Sequence, residues 1–384
     1  MIDACVHHHW AQQSELMDYM SRGWQEYLRQ PESLPGDLDP IAILPWFPYS
    51  RPDGDKLPDS VSDGRPAGSS YELVQQQLLD RGVEAAVLNY DEGMRTPATP
   101  NTHLARELAR ASNDWTVDRW LSRDERLHGL VLVPNQVTQD AVGEITRIGD
   151  HPQMVGILMS ANGLGKPFGH PAYHPIYAAA AERGLPVVIH AGGDAILETL
   201  THPTAGGLPT SYAEYYVFNS MPLVTHFLSL VAQGVFEKFP DLKVLFSGGG
   251  VTWLTAILWR FDAEYMPYRR ETPWVKKTPS EYVRDNIRLC TYPLVGAAAP
   301  ERLVRLLRAF PGIEDVLVYG SGYPNWDTDF PDDVAAQLPA EWADRVFSEN
   351  ARGFFRWGGA LSPAVAGPSA AVGEMDEIEL ASAE

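Results

Sequence analysis

Cysteine is almost absent: Cys5 and Cys290 are the only two in 384 residues. That is too few for a disulfide framework and suits a reducing compartment. No run of about 18 apolar residues occurs anywhere, which leaves no transmembrane helix. Basic charge is also scarce, with 30 Lys and Arg against 50 Asp and Glu and a formal net charge of −20. An acidic surplus of that size argues against nucleic acid and anionic membrane as main partners. The first residues lack a basic n-region and an apolar h-region, so they read as a strand and not as a signal peptide; a cytoplasmic setting is expected. Apolar residues are plentiful, at 45% hydrophobic and 10% aromatic. Wholesale disorder is thereby excluded.

Short runs rich in Val, Ile and Leu recur along the chain. They are IDACVHHH (2–9), EAAVLNY (84–90), LHGLVLVP (127–134), QMVGILMS (153–160), LPVVIHAGG (185–193), LKVLFSGGG (242–250), NIRLCTYP (286–293) and DVLVYGSGYP (315–324). Near-continuous apolar runs suit parallel strands buried on both faces. Between them lie segments with apolar residues at three- and four-residue spacing, among them 71–82, 100–121, 139–149, 174–184, 223–239 and 301–310. Eight strand–helix repeats predict an α/β fold, a (β/α)8 TIM barrel, with one barrel domain over residues 1–360.

Two connections are long. One follows the first strand and includes RPDGDKLPDSVSDGRPAGSS; the other spans residues 194–222. Long βα insertions in such a barrel lie at the C-terminal mouth, where they shape or cover a site. The tail, residues 361–384, is Ala/Pro/Gly/Ser-rich and then acidic. It reads as disordered.

The opening MIDACVHHHW places Asp3, Cys5, His7 and His9 at alternate positions, hence on one face of a regular strand. Strand C-terminal ends converge on one mouth, which adds His190 after strand five and Ser247 after strand six. Ser321, Tyr323, Asn325, Asp327 and Asp329 follow strand eight. Imidazole and thiolate suit Zn²⁺ or Fe²⁺, so Cys5, His7, His9 and His190 form a candidate metal set. A structural or metal-free cluster is the competing reading. Each residue also has a plainer account. Cys5 can be a small core residue. His8 has the opposite parity and faces the helices, and His226 reads as a packed core histidine. Gly248–Gly250 either cradles an anion or ends a strand, and Asp327 and Asp329 suit turn initiation.

From Ile2 to about Phe355 the chain resembles the amidohydrolase-related branch of the amidohydrolase superfamily, which includes aminocarboxymuconate-semialdehyde and resorcylate decarboxylases. The resemblance rests on DRWLSRDERLHGLVLVPNQ, LPVVIHAGG, QGVFEKFPDLKVLFSGGGVTWLTAILWRFD, KTPSEYVRDNIRL, YGSGYPNWDTDFP and the terminal NAR. It implies a distorted (β/α)8 barrel of the amidohydrolase type. It also implies two metal ligands on strand one, either Cys5 and His7 or His7 and His9, and a third at His190. Three family positions depart. Ser247 stands where many members carry a catalytic His. Gly322 replaces an Asp that is ligand and proton carrier, and Asn325 replaces a His.

Three readings follow. The first is an enzyme with a rearranged metal centre, holding one divalent ion (Zn, Fe or Mn). It would decarboxylate a small cyclic or aromatic carboxylated or acylated substrate, or run a related lyase or hydrolase step. In the second, a metal-free enzyme for cyclisation, dehydration or isomerisation, His7, His9 or His190 acts as general acid or base with Ser247 and Tyr323 as donors, and Cys5 serves as a nucleophile if a neighbouring His lowers its pKa. The third is a non-catalytic barrel that binds a ligand or protein. Oligomers are common in the family, and the helix LTAILWRFDAEY (254–265) is a candidate homo-oligomer interface.

Overall fold

The computed structural model describes residues 1–29, 68–90, 94, 96, 99, 101–161, 165–192, 211–294 and 299–358. Eight parallel strands form one sheet in sequence order. They are β1 (Ile2–His8), β2 (Ala85–Tyr90), β3 (Leu127–Leu132), β4 (Met154–Ser160), β5 (Val187–His190), β6 (Val244–Ser247), β7 (Ile287–Cys290) and β8 (Leu317–Val318). Each apolar run of the sequence holds one of them. The sheet curls shut where β1 meets the chain around and beyond β8. Ala4 N–H donates to Tyr319 O at 3.0 Å, Gly322 N–H to Cys5 O at 2.8 Å and His7 N–H to Tyr323 O at 2.7 Å. The result is the (β/α)8 barrel expected.

Two apolar layers hold it together. Val6, Leu88, Val131, Ile157, Ile189 and Phe246 face outward and pack against the helices. Val87, Leu132, Leu158, Val188 and Val318 fill the barrel with Cys5 and Cys290. The helix Thr102–Thr116 illustrates the outer layer. Asn101 caps it by accepting from His103 N and Leu104 N, and it buries Leu104, Leu108, Ala111 and Trp115 at helical spacing. The predicted helix over 223–239 divides into Met221–Ala232 and Val235–Lys238, because Gly234 takes a left-handed conformation (φ 69°) between them.

The barrel's lower end is closed by the C-terminal segment, where Arg356 donates to the carbonyls of Gly149, His151 and Met154. The helix Thr252–Tyr268, flagged as an interface, buries Trp253, Leu254 and Leu258 and leaves Trp259 73% exposed. No helix among the described residues is long and apolar enough to cross a membrane. The predicted tail, most of the first long connection and residues 194–210 of the second lie outside the described residues.

Candidate active site

The site starts from an irregularity in β1. Its register against β2 shifts between Asp3 and Val6. Ile2, Ala4 and Cys5 all join the barrel-interior cluster, while Val6 joins the outer one. A bulge inverts strand parity beyond it. The single face of Asp3, Cys5, His7 and His9 read from regular alternation therefore does not form. Asp3 instead spans the irregularity: its Oδ1 accepts from Cys5 N at 3.1 Å and from Ser321 N at 2.9 Å. Burial pushes its carboxyl up to about 6, against the pull of the hydrogen bonds from Ser321 and Cys5.

Past the bulge, three buried side chains converge. Cys5 Sγ lies 3.5 Å from His7 Nε2 and 3.4 Å from His190 Nε2. One ligating atom from each lies within 4.8 Å of the other two. The two imidazoles meet edge to face, with ring centres 5.0 Å apart. His190 Nδ1 sits 2.5 Å from Ala191 O; a carbonyl only accepts, so Nδ1 carries the proton and the Nε2 lone pair faces Cys5. Gly248 makes room for that ring: a Cβ there would come within 2.6 Å of His190 Cε1. Burial raises the Cys5 thiol well above its ordinary range; neighbouring Cys290 raises it further, while the Ser247 hydroxyl opposes. Ser247 pairs in register with His190, and His190 with Ser160, so these three sit at one level of the barrel.

Across the mouth, Gly322 takes a left-handed conformation (φ 67°), and a Cβ on it would lie 2.1–2.3 Å from the ring of Tyr292. The Tyr292 hydroxyl donates to Asp327 Oδ1 at 2.8 Å and accepts from Asn325 Nδ2 at 2.9 Å. Burial holds that phenol well above its usual range. Tyr216, on the helix Tyr212–Phe218, donates its hydroxyl to the other oxygen of Asp327. Tyr216 stacks on Tyr212 and leans on Trp326, each pair with ring centres 5.7 Å apart. Tyr292 in turn meets His7 edge-on at 6.5 Å, which joins the aromatic and the imidazole–thiol halves of the site.

The remaining candidates fall elsewhere. β1 ends at His8, so period-two alternation no longer governs His9; its half-buried ring sits edge-on against Trp10, and His9 is outside the converging group. Tyr323 is buried in the outer layer with Val6, while Cys5 and Tyr292 are in the inner one. Asp329 Oδ2 accepts from Leu294 N at 2.6 Å, tying together the segments after β7 and β8. His8 bonds Asn89 O and Thr116 Oγ1 and stacks on Trp115, so it does face the helices. His226, stacked on Phe168, is a core histidine. The three glycines give close packing: besides the His190 ring, Cβ atoms would meet Leu223 and Pro293 O. Sequence reasoning missed Tyr292, Tyr216, Tyr212 and Trp326. Only the position of Tyr292 two residues past Cys290, at the end of β7, could have signalled any of them.

The mouth thus gathers a thiol, two imidazoles, a carboxylate and stacked phenols, groups able to hold a metal ion or to move protons. The family model described as amidohydrolase matches residues 5–357, and the chain belongs to that family of enzymes. A gamma-resorcylate decarboxylase from Polaromonas sp. (strain JS666 / ATCC BAA-500) is 23% identical over 232 residues, 56% of this chain and 67% of the relative. A 2-amino-3-carboxymuconate-6-semialdehyde decarboxylase from Dictyostelium discoideum is 27% identical over 150 residues, 38% of each chain. Among solved structures, a dihydroxybenzoic acid decarboxylase from Polaromonas sp. JS666 with bound manganese and 2-nitroresorcinol superposes with a TM-score of 0.58. It shares 17% identity and covers 92% of this chain and 97% of its own.

Proposed function

We propose that the protein is a metal-assisted decarboxylase of a small hydroxylated aromatic carboxylate, with Cys5, His7 and His190 as the ligands in a rearranged centre. The observation that carries the reading is the convergence of one sulfur and two ring nitrogens, all buried, within 4.8 Å of one another. The donor set fits an ion: the lone pair of His190 Nε2 is already turned inward by the Nδ1–H bond to Ala191 O. One sulfur and two nitrogens match Zn²⁺ or Fe²⁺ better than the harder manganese of the solved relative, and three protein ligands leave a position for substrate. When bound, such an ion supplies Lewis-acid stabilisation of negative charge on the substrate's carboxylate or phenolate oxygen.

The chain's own residues do the rest. Tyr212, Tyr216 and Trp326 offer flat faces for an aromatic ring. Asp327, held as a carboxylate by the hydroxyls of Tyr292 and Tyr216, relays to the ring carbon a proton taken from water as carbon dioxide departs. Ser247 at the level of His190 is a donor toward the substrate's oxygens. Gly322 supplies neither ligand nor proton, so Asp327 takes the proton-carrying role.

One observation favours a second reading. Cys5 Sγ is already within hydrogen-bonding distance of both imidazoles, an arrangement that serves metal-free acid–base chemistry as well. Elemental mass spectrometry of tag-free protein separates the two. About one equivalent of metal, lost in Cys5→Ala and His190→Ala, together with carbon dioxide release from 2,6-dihydroxybenzoate or a related hydroxybenzoate, is the expected result. Metal-free protein that still turns over would favour the second reading. Absence of turnover across a panel of hydroxybenzoates, with metal bound, would sink the decarboxylase assignment.

A further inference from the structure

We infer that Tyr292 is a positioning residue that occupies the space beside Gly322 and, through its hydroxyl, fixes Asp327 and Asn325 at the mouth in the geometry for proton delivery. The inference rests on the proposed role of Asp327 as proton carrier.

Three observations support it. First, Tyr292 and position 322 compete for one volume: a Cβ on Gly322 would lie 2.1 Å from Tyr292 Cε2 and 2.2 Å from Cζ. No side chain can project there while the ring stays. Second, both hydrogen-bonding directions of the Tyr292 hydroxyl are used. Its proton goes to Asp327 Oδ1, and its oxygen accepts from Asn325 Nδ2. A phenol engaged on both sides holds its partners and is poorly placed to give up a proton. Third, Asp327 receives a phenol from each side of the mouth, Tyr292 at the end of β7 and Tyr216 from the helix Tyr212–Phe218. Two donors from separate elements leave the carboxylate little rotational freedom.

Asp327 takes a proton from water and passes it to the ring carbon bearing the carboxylate. The bond to the carboxylate carbon then breaks, its electron pair returns to the ring, and carbon dioxide leaves. Asp327 is left as the carboxylate again, and the hydroxide from that water combines with carbon dioxide as bicarbonate. Tyr292 gives up no proton in this scheme; it holds the group that does.

The test pairs kinetics with stability. Tyr292→Phe removes the hydroxyl but keeps the ring. It is expected to lower kcat on the hydroxybenzoate accepted by the wild type by about 10- to 100-fold, a magnitude typical of a misplaced reacting group. KM, metal content and binding of 2-nitroresorcinol are expected to stay at wild-type values. Gly322→Asp alone is expected to lower Tm sharply, and Tyr292→Ala combined with Gly322→Asp to recover much of that loss. Wild-type kcat in Tyr292→Phe, or an unchanged Tm in Gly322→Asp, would overturn the inference. A wild type inactive on every hydroxybenzoate, with the Tm coupling intact, would remove the proposed reaction and the proton-delivery role with it, while the shared volume of Tyr292 and Gly322 would stand.

Discussion

Asp3 and Ser321 join the two ends of the barrel: one carboxylate oxygen of Asp3 accepts the Ser321 N–H at 2.9 Å and the Cys5 N–H at 3.1 Å. That oxygen both closes the seam between β1 and the chain beyond β8 and sustains the irregularity that turns Cys5 and His7 inward. Asp3→Ala would leave two buried N–H groups unpaired, at a cost of about 2–4 kcal/mol. Asp3→Asn keeps an acceptor and should lose less than half of that. Chemical denaturation of the two variants beside the wild type checks the order; equal losses would mean that the acceptor is not what matters.

Gly248 governs where His190 stands. A methyl group there would press on the ring at 2.6 Å, and the backbone is left-handed at φ 76°, a conformation that costs a non-glycine residue about 1–2 kcal/mol. Gly248→Ala should therefore cost about that much stability and also tilt His190 away from Cys5. Metal affinity is expected to fall at least about tenfold, following the sensitivity of metal sites to ligand orientation. Competition with a chromogenic chelator measures it. Affinity equal to wild type in a destabilised variant would separate the strain from the ligand geometry.

The fold was legible because each strand is an apolar run followed by a helical period, a signal that long-range context rarely overrides. The convergence of Cys5, His7 and His190 was legible because strand ends share a mouth. What failed was the assumption of unbroken alternation in β1. A bulge is set by the Asp3 carboxylate reaching Ser321, 318 residues away in sequence, and no local pattern encodes that contact. The aromatic half of the site was missed for a related reason. Tyr292 matters because the residue at 322 is glycine, and two such positions reveal their complementarity only when folded together. Tyr323 lies in the outer layer, because nearness in sequence to Ser321 does not decide which layer its ring enters.

Asp329 makes stability depend on pH near neutrality. Burial, reinforced by Asp327 and Asp333, raises its carboxyl to about 7 despite the hydrogen bond from Leu294 N. The unfolded value is near 4, so between about pH 4 and 7 the folded chain holds a proton that the unfolded chain has released. The contribution is complete below pH 4 and lost as pH rises through 7. Asp329→Asn keeps an acceptor for Leu294 N and removes the charge. It should match the wild type in stability near pH 4 and exceed it at pH 8, by on the order of 4 kcal/mol. A Tm difference that does not change with pH would contradict the assignment.

His226 acts in the opposite direction. Its Nδ1 accepts from Phe168 N at 3.1 Å and its Nε2 donates to Ala161 O at 2.7 Å, so the folded ring is neutral and fully engaged. Burial lowers its pKa to about 4, against about 6.5 when unfolded. Its contribution is complete above pH 6.5 and is lost as pH falls through 4, on the order of 3 kcal/mol over that window. His226→Gln cannot titrate and, although its amide carries both an acceptor and a donor, loses the ring stacked on Phe168, so at pH 7 it should be less stable than wild type by about 1–3 kcal/mol. Because the variant escapes the acid penalty, the gap should narrow steadily toward pH 4. Guanidinium unfolding at pH 7 and 4.5 reads both values, and a gap that widens in acid would mean that the folded imidazole accepts a proton more readily than its stacking on Phe168 and its bond to Ala161 O allow.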